Sequence, residues 1–231
     1  MCMRRRRLGQ HFLRDPAIAE YIAGLVPQGS VVLEVGPGTG TLTLALAKRA
    51  SKVIAIEIDR ALAAYLSARV PPNVEVLIGD ALAIDWPKAD FFASNIPYSI
   101  SSPLLLKLSS VHLPAVVMLQ REVAERISAP PGSDAYGRLT LAVRCNYDVE
   151  VLRVVPPWVF SPPPRVYSAI VRLTPHTPCV DDFKSFEKFT SMLFSQRRKI
   201  ARKVCDKAPR GKRVYELSLE EVVDLFRQCR Y

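Results

Sequence analysis

The chain has few of the residues that build disulfide frameworks and metal centres. Its 231 residues include five cysteines and three histidines. The cysteines are scattered and form no C-x-x-C pair, whereas zinc sites and disulfide scaffolds rely on closely spaced cysteines. The sequence therefore predicts no metal site, and reduced structural thiols are the favoured interpretation of Cys2, Cys145, Cys179, Cys205 and Cys229.

Long apolar runs are also absent. The longest stretch without a charged residue, Phe91–Leu106, has 16 residues and contains Asn95, Pro97 and Pro103. A helix that crosses a bilayer needs ~20 mainly apolar residues. The arginines near the start are followed by polar residues and not by the apolar segment of a secretory signal. We therefore expect a cytoplasmic protein with no membrane partner.

Acidic residues are too few to balance the basic ones. The chain has 32 Lys and Arg against 22 Asp and Glu, a net charge of +10. The excess lies in residues 1–15, with five Arg and one Asp, and in 196–213, with nine basic residues and one acid. Residues 16–195 carry sixteen charges of each sign. A neutral body with basic ends favours binding to a phosphate backbone.

Short β-branched runs alternate with longer amphipathic stretches from residue 31 onward. Five runs are typical of buried parallel strands: Val31–Val35, Val53–Glu57, Val74–Ile78, Phe91–Ser94 and Ala115–Gln120. Helical patterns lie between them at 41–50, 60–70, 102–110 and 121–128. This order predicts an α/β fold with a doubly wound sheet.

The flanking regions extend this pattern. Asp15-Pro16 supplies a cap and a first-turn proline for a helix before the first strand. Later strands are predicted at Leu139–Tyr147 and Tyr167–Leu173, separated by a stiff proline-rich loop at 156–164.

The character of the sequence changes near residue 177. Two helical stretches follow, at about 183–205 and 218–229. We therefore predict a main domain of residues 1–177 and a small helical domain of residues 178–231.

A glycine-rich turn, Gly36-Pro37-Gly38-Thr39-Gly40, follows the first predicted strand. Glycines there let a ligand approach the backbone, and open α/β sheets bind nucleoside-containing molecules at this edge. The spacing departs from the dinucleotide motif and no Walker sequence is present, so the turn is not built to hold phosphates. Taken alone, it could equally be a plain tight turn.

Two carboxylates end the next two predicted strands. Glu57 stands where an acid accepts hydrogen bonds from ribose hydroxyls, and Asp80 stands where a carboxylate can accept from an adenine amino group. Each could instead be a helix cap or a surface charge. Together with the glycine turn, they indicate a nucleoside pocket without a phosphate clamp.

The fourth strand ends in Asn95-Ile96-Pro97-Tyr98. The Asn95 side-chain oxygen and the Ile96 carbonyl are two acceptors that can hold the N–H groups of an exocyclic amine, and Pro97 fixes an extended backbone between them and Tyr98. Tyr98 can stack on a base. No strong general base is needed, because the proton can leave once the nitrogen is cationic. A proline-terminated turn with a capping Asn is the alternative.

Several motifs, in order, resemble those of the ribosomal RNA adenine dimethyltransferases, the KsgA family. They are Gln10–Leu13, Gly36–Thr43, Glu57–Asp59, Gly79–Ala81, Asn95–Tyr98, Gln120–Arg126, Pro131–Leu139 and Phe160–Ala169. The resemblance covers nearly the whole chain. It implies a class I, Rossmann-like methyltransferase domain, with residues 1–30 as a cofactor-capping segment, and a small helical C-terminal domain that binds rRNA.

The resemblance also implies a reaction. Methyl groups pass from S-adenosylmethionine to N6 of two adjacent adenosines near the 3′ end of small-subunit rRNA, giving N6,N6-dimethyladenosine and S-adenosylhomocysteine without a metal. The implied catalytic residues are Asn95, Pro97, Tyr98 and Phe160, with Phe160 on the flipped adenine opposite Tyr98. The implied cofactor residues are Gln10, His11, Leu13, Gly36, Gly38, Glu57, Ile58, Asp80, Ala81 and Asn95.

The basic segment carries a further similarity, because Phe194–Lys199 resembles the family's F-x-x-R-R-K signature. The resemblance implies contacts with rRNA phosphates by Arg197, Arg198, Lys199, Arg202 and Lys203. A solvated helix face is the alternative, but the concentration of charge favours RNA. We expect a monomer that acts on the small ribosomal subunit and also serves ribosome biogenesis.

Two other functions stay open. A large-subunit rRNA adenine methyltransferase would share the cofactor motifs and the N-I-P-Y sequence, and a ribosome-assembly or transcription factor could use the same fold without catalysis. Pro131–Leu139 and Phe160–Pro164 favour the small-subunit group, and the intact Asn95–Tyr98 motif favours catalysis. DNA adenine methylation is more remote, because such enzymes more often have a second proline before the aromatic residue.

Overall fold

A mixed β-sheet forms the centre of the computed structural model, which describes residues 11–229. The strands are β1 (Phe12–Leu13), β2 (Val31–Val35), β3 (Lys52–Glu57), β4 (Val74–Ile78), β5 (Phe91–Asn95), β6 (Ala115–Gln120), β7 (Tyr147–Val155), β8 (Phe160–Ser161) and β9 (Ser168–Pro175). Seven of them form one sheet in the order β4-β3-β2-β5-β6-β9-β7, and β1 pairs with β8 in a separate ribbon.

The first five strands of the sheet run parallel, from β4 to β6. β9 and β7 complete the sheet as antiparallel strands beyond β6. Because parallel strands end at the same edge, the residues after Val35, Glu57, Ile78 and Asn95 gather there. The predicted α/β fold is confirmed, and each of the five predicted parallel strands agrees with a structural strand to within one residue at each end.

Helices cover both faces of the sheet and bury two apolar clusters. They are α1 (Pro16–Gly24), α2 (Thr41–Ala47), α3 (Arg60–Ser67), α4 (Ser101–Val111), α5 (Arg121–Ser128), α6 (Arg138–Arg144), α7 (Phe183–Phe194) and α8 (Leu219–Cys229). The carboxylate of Asp15 accepts hydrogen bonds from two backbone N–H groups of α1, which is the predicted cap. Between residues 11 and 229, none of these helices combines the length and apolar character of a bilayer span.

The prediction of a strand at Leu139–Tyr147 is wrong. The first part of this range forms α6, and β7 begins only at Tyr147. The Thr140 hydroxyl accepts from the Gly137 N–H and donates to the Arg126 carbonyl, which fixes the start of the helix. Residues Leu139–Val143 are all buried, so their apolar run fits a helix and a strand equally well.

The prediction of a helix over 183–205 is correct only for its first half. α7 ends at Phe194, and the basic residues that follow lie in turns and in a short 3-10 turn at Ala201–Lys203. Ile200 forms a β-bridge with Arg213, and the Val214 N–H donates to the Lys199 carbonyl. These long-range backbone bonds redirect the chain and replace the continuing helix.

A third apolar cluster joins the C-terminal helices to the main sheet domain. Phe186, Phe189 and Phe226 pack in it together with Leu141 of α6 and Tyr136. The Tyr136 hydroxyl donates to the Leu217 carbonyl at 2.8 Å. The domain boundary near residue 177 stays a prediction, and the buried core extends across it.

The prediction that the thiols are reduced is wrong for one pair, because Cys145 and Cys179 form a disulfide. Cys145 is the residue directly after α6, and Cys179, 34 residues later in the chain, precedes α7. The Cys179 N–H donates to the Cys145 carbonyl at 2.8 Å, so backbone pairing brings the two residues together. Such a long separation gives no local motif in the sequence.

Removing this disulfide is expected to destabilise the protein by about 2 to 4 kcal/mol, the usual contribution of a bond that closes a loop of this size. The change is Cys145→Ala with Cys179→Ser, and chemical denaturation without reductant measures it. A thiol reductant should bring the unmodified protein close to the variant. Equal stability of the two proteins in non-reducing buffer would contradict the prediction.

Candidate active site

A cleft opens at the edge where the parallel strands end, below the β1–β8 ribbon. Of the residues predicted to bind the cofactor or the target base, eleven line this cleft: His11, Leu13, Gly36, Gly38, Glu57, Ile58, Asp80, Ala81, Asn95, Pro97 and Tyr98. Gln10 lies outside the described residues. The βα topology explains the grouping, because it brings the ends of β2, β3, β4 and β5 to one place.

The glycine turn has no space for side chains. Gly36 and Gly38 have φ of +70° and +56°, in the left-handed region that favours glycine. A Cβ on Gly36 would lie 2.7 Å from Cγ of Pro97, and one on Gly38 would lie 2.7 Å from Cδ1 of Phe12. Bare backbone therefore lines the cleft here, and a ligand can approach it closely.

Glu57 is held in place by backbone hydrogen bonds. Its Oε2 accepts from the Gly38 N–H at 3.2 Å, and its Oε1 accepts from the Asp59 N–H at 2.9 Å. Burial raises the pKa of this carboxyl, and the two N–H donors oppose the rise. Because a carboxylate oxygen accepts more than one hydrogen bond, both oxygens keep capacity for ligand hydroxyls.

The Asp80 carboxylate is exposed at the next strand end. Its Oδ1 accepts from the Leu82 N–H at 2.9 Å, which fixes the turn. The Trp86 indole N–H donates to the Ala81 carbonyl at 2.8 Å, and the Trp86 ring stacks on Phe92 with centroids 5.2 Å apart. The turn is thus anchored to the core, while the Asp80 carboxylate remains free to bind a ligand at the cleft.

Asn95 has a buried acceptor without a partner. Its Oδ1 receives no hydrogen bond from the described residues, and its Nδ2 approaches the His11 carbonyl at 3.5 Å. An unsatisfied buried acceptor costs about 1 to 3 kcal/mol, so such an atom in a cleft indicates a ligand donor. The neighbouring Ser94 hydroxyl donates to the Val35 carbonyl at 2.7 Å and holds this strand end against β2.

Tyr98 is held by contacts at its hydroxyl group and at its ring. Its hydroxyl lies 2.6 Å from the Ser168 hydroxyl, and its ring contacts the His11 ring with centroids 5.4 Å apart. Burial raises the pKa of Tyr98, so the phenol is neutral at physiological pH. His11 is held in turn by a 2.8 Å contact between its Nδ1 and the Pro162 carbonyl.

Phe160 is not brought to the cleft with these residues. Its side chain is 2% exposed and packs in the apolar cluster that contains Leu13 and Ile170. The reason is the β1–β8 ribbon, in which Phe160 pairs with Leu13 and supports the segment above the cleft. The predicted position opposite Tyr98 is therefore not found in this arrangement.

Glu34 lines the cleft, although the sequence did not mark it as a site residue. It is 1% exposed, and its Oε2 has no partner among residues 11–229. Burial raises the pKa of Glu34 to about 8, with the Thr43 hydroxyl opposing the rise and the Glu57 charge adding to it. The sequence signal that could have identified Glu34 is a glutamate within a predicted buried strand, next to the glycine turn.

Glu34 is expected to make the free protein less stable as pH rises from about 5 to about 8. A carboxyl whose pKa is raised on folding binds more protons in the native state, so the stability it contributes at low pH is lost as pH rises through its folded value. Each pH unit in this window removes up to about 1.4 kcal/mol. Urea denaturation of Glu34→Gln should show a flatter profile, while the exposed control Glu125→Gln should follow the unmodified protein.

The five predicted RNA-binding residues fall into two groups. Arg198, Lys199, Arg202 and Lys203 are exposed. Arg197 is partly buried, donates to the Asp134 carbonyl at 3.0 Å and lies 5.6 Å from the Tyr215 ring centroid. Arg197 therefore braces the C-terminal region against the loop before α6, whereas the other four present charge to solvent.

Comparison with known protein families supports the similarity found in the motifs. The family model for ribosomal RNA adenine dimethylase matches residues 1–224. The chain is 64% identical over 226 residues to "Probable ribosomal RNA small subunit methyltransferase A" of Pyrobaculum aerophilum, covering 98% of this chain and 99% of that protein. It is 41% identical over 241 residues to ribosomal RNA small subunit methyltransferase A of Thermotoga petrophila, covering 98% and 92%.

Solved structures give the same result. A dimethyladenosine transferase from Plasmodium falciparum is similar with a TM-score of 0.84 and 31% identity, covering 95% of this chain and 98% of that one. The 23S rRNA methyltransferase ErmE is similar with a TM-score of 0.73 and 28% identity, covering 95% and 100%. Given the whole-chain family match and these relatives, the chain belongs to the ribosomal RNA adenine dimethylase family.

Proposed function

We propose that the protein transfers methyl groups to N6 of two adjacent adenosines near the 3′ end of small-subunit rRNA, giving N6,N6-dimethyladenosine. The observation that carries this proposal is the unpartnered Asn95 Oδ1, which lines the same cleft as Tyr98 in a member of this family. The curated relatives named for the small subunit supply the substrate class.

The cleft fits S-adenosylmethionine, which when bound supplies an electrophilic methyl group. Bare backbone at Gly36 and Gly38 would accept the amino-acid end, close to the buried Glu34. Glu57 would hold the ribose hydroxyls, and Asp80 with Ala81 would receive the adenine. Ile58, His11 and Leu13 would border the same ligand. The proposed binding uses no metal ion.

The target amine needs two hydrogen-bond acceptors. The N6 lone pair of adenine is delocalised into the ring, so the nitrogen is a poor nucleophile until acceptors hold its N–H groups in a geometry that frees the lone pair from that conjugation. The Asn95 Oδ1 and the Ile96 carbonyl would accept those two N–H groups. Both acceptors also stabilise the positive charge that develops on nitrogen, which is the larger part of their effect.

Tyr98 would hold the flipped adenine by stacking, with Ser168 and His11 fixing the ring. Pro97 keeps the backbone extended between Asn95 and this ring. Once the nitrogen is cationic, its proton is acidic enough to pass to solvent without a strong base. Positioning and charge stabilisation therefore supply most of the catalysis.

We further propose that the four exposed residues Arg198, Lys199, Arg202 and Lys203 dock rRNA through its phosphates. These four residues lie in turns, next to further basic residues at 207–213. Residues 196–213 as a whole contain only one acidic residue. Phosphate contacts fix register and carry little sequence information. The protein would act as a monomer in the cytoplasm and also serve ribosome biogenesis.

Replacing these four residues with alanine is expected to weaken rRNA binding and to reduce its salt dependence, by about 0.7 to 0.9 in slope for each phosphate that is no longer neutralised. Arg197→Ala should behave differently. It removes the bond to Asp134 and should lower stability by about 1 to 3 kcal/mol with little change in salt slope. Filter binding over a salt series and thermal denaturation separate the two effects. A large change in salt slope for Arg197→Ala alone would contradict this division.

The deciding experiment for the proposed function is mass mapping of nucleotides after reaction with unmethylated small ribosomal subunits and S-adenosylmethionine. Dimethyladenosine at two adjacent positions near the 3′ end is the expected product. Absence of dimethyladenosine under conditions in which the protein binds the cofactor would refute the proposal.

A large-subunit substrate is the second candidate, because the structure of a 23S rRNA methyltransferase is also similar to this chain. The relatives named for the small subunit, 64% and 41% identical to this chain, favour the small subunit over this structure at 28% identity. Assaying small and large subunits side by side tests this choice, and preferential methylation of the large subunit would reverse it.

A further inference from the structure

One large aromatic side chain, that of Trp158, is left mostly in solvent. It is 72% exposed, the highest fraction among the large hydrophobic residues between positions 11 and 229, although its neighbours Val159 and Phe160 are buried. Burying an aromatic side chain contributes strongly to stability, and this ring forgoes that contribution. An exposed Trp on a fixed backbone is typical of a binding surface.

The backbone next to Trp158 is hydrogen-bonded to the segment that lines the cleft. The Arg14 N–H donates to the Val159 carbonyl at 2.9 Å, and the β1–β8 ribbon joins Phe160 to Leu13, which lines the cleft. Pro162, four residues after Trp158, contacts the ring of His11. Four residues span at most about 14 Å, which keeps Trp158 within that distance of Pro162 and so near the side of the cleft that His11 lines.

The surroundings of this ring suit a polyanion. Residues 151–180 contain three arginines and no Asp or Glu. Arg14 and Arg165 are exposed, and neither forms an ion pair within the part of the chain that the structure describes. Tyr167 is also exposed, next to Ser168, whose hydroxyl contacts Tyr98. Aromatic rings interleaved with unpaired arginines are the usual surface for single-stranded nucleic acid.

We infer that Trp158 stacks on an unpaired nucleotide beside the target adenosine and, with Arg14 and Arg165 on the phosphates, forms a second RNA-binding site at the lip of the cleft. This inference rests on the proposed function for the identity of the nucleic acid. It is separate from the basic segment at 196–213, because it acts next to the reacting base. Stacking on such a ring is tolerant of base identity, so the site sets the path of the strand.

Steady-state methylation of unmethylated small subunits tests the contribution of the ring. Trp158→Ala should raise KM for the subunit about tenfold or more and leave kcat and cofactor affinity unchanged, in line with the loss of one stacked base. Trp158→Phe should restore most of the affinity, because it keeps a stacking face. Tyr65→Ala removes another exposed aromatic ring, on α3 beside the edge strand β4, and should leave KM unchanged.

Tryptophan fluorescence gives a readout that does not depend on methylation. The chain has two tryptophans, and Trp86 is anchored by its bond to Ala81 and its stacking on Phe92. A single-stranded oligoribonucleotide with two adjacent adenosines should quench the unmodified protein. Trp158→Phe, which leaves only Trp86, should show no such quenching.

The outcomes separate this inference from the proposed function. If the oligoribonucleotide quenches the fluorescence but no dimethyladenosine forms on unmethylated small subunits, the RNA site is supported and the proposed reaction is refuted. Normal dimethylation with an unchanged KM in Trp158→Ala and no quenching would overturn the inference. A raised KM for intact subunits with no effect on naked rRNA would also overturn it, because the ring would then contact a ribosomal protein.

Discussion

Replacing Asn95 with alanine is expected to lower the rate of adenine methylation by about a thousandfold or more, the largest effect of any single side chain in the cleft. The Asn95 Oδ1 is buried and unpartnered, and it is the acceptor that would hold one N–H group of the target amine. Loss of one preorganised hydrogen-bonding group at a site of developing charge costs about 10²–10³ in rate. Weaker positioning of the base adds to this loss.

Single-turnover methylation measures this effect, and binding assays provide its control. Affinity for rRNA and for S-adenosylmethionine should survive in Asn95→Ala, because other residues hold both ligands. Asn95→Asp keeps an acceptor oxygen and should retain more activity than the alanine variant. If Asn95→Ala methylated at close to the normal rate, or if it lost rRNA binding together with activity, the proposed division between catalysis and docking would be wrong.

The parallel part of the sheet could be predicted from the sequence because its signals are local. Each of β2 to β6 is a short, mainly apolar run, and all of them except β4 are followed by a helix. Right-handed βα connections then leave one sheet edge for the strand ends. The sequence alone therefore suffices to place Glu57, Asp80 and Asn95 together, although their roles stay predictions.

The predictions that proved wrong concern α6, the end of α7 and the thiols of Cys145 and Cys179. In each case contacts between residues far apart in the sequence decide the structure. α6 is buried on nearly all sides, so its apolar run has no visible period. α7 stops at Phe194 because residues 199–201 bond to residues 212–214. The disulfide joins residues that only the folded backbone brings together. None of these contacts has a sequence spacing from which it could be inferred.

The site shows the same division between local and distant information. The sequence motifs predicted eleven residues that line the cleft, but not that Phe160 would pack in the apolar core, paired with Leu13. Burial is the main cause of the raised pKa of Glu34, and a sequence does not report burial of a single carboxyl. Arg197 likewise looks like its basic neighbours until its bond to the Asp134 carbonyl is seen.

Gly36→Ala is expected to lower kcat/KM for methylation by at least about a hundredfold. The change strains the backbone at residue 36 and displaces the Asn95–Tyr98 segment. A residue other than glycine in the left-handed region costs roughly 1 to 2 kcal/mol, and Gly36 has φ of +70°. The added Cβ would lie 2.7 Å from Cγ of Pro97, a ring that cannot rotate away. Relief of this overlap must shift the backbone that carries Asn95, and a displacement of about 1 Å costs on the order of 10²-fold in rate.

Two other glycines make this prediction specific. Gly38→Ala meets the side chain of Phe12, which can rotate, so its activity should fall less than that of Gly36→Ala. Gly24→Ala, at the end of α1, meets no atom within 4 Å and should leave activity unchanged. Cofactor binding by calorimetry and methylation kinetics on the three variants provide the comparison. Equal activity of Gly36→Ala and Gly24→Ala would show that the turn tolerates a side chain, and the close approach of Pro97 would then have no role in aligning Asn95.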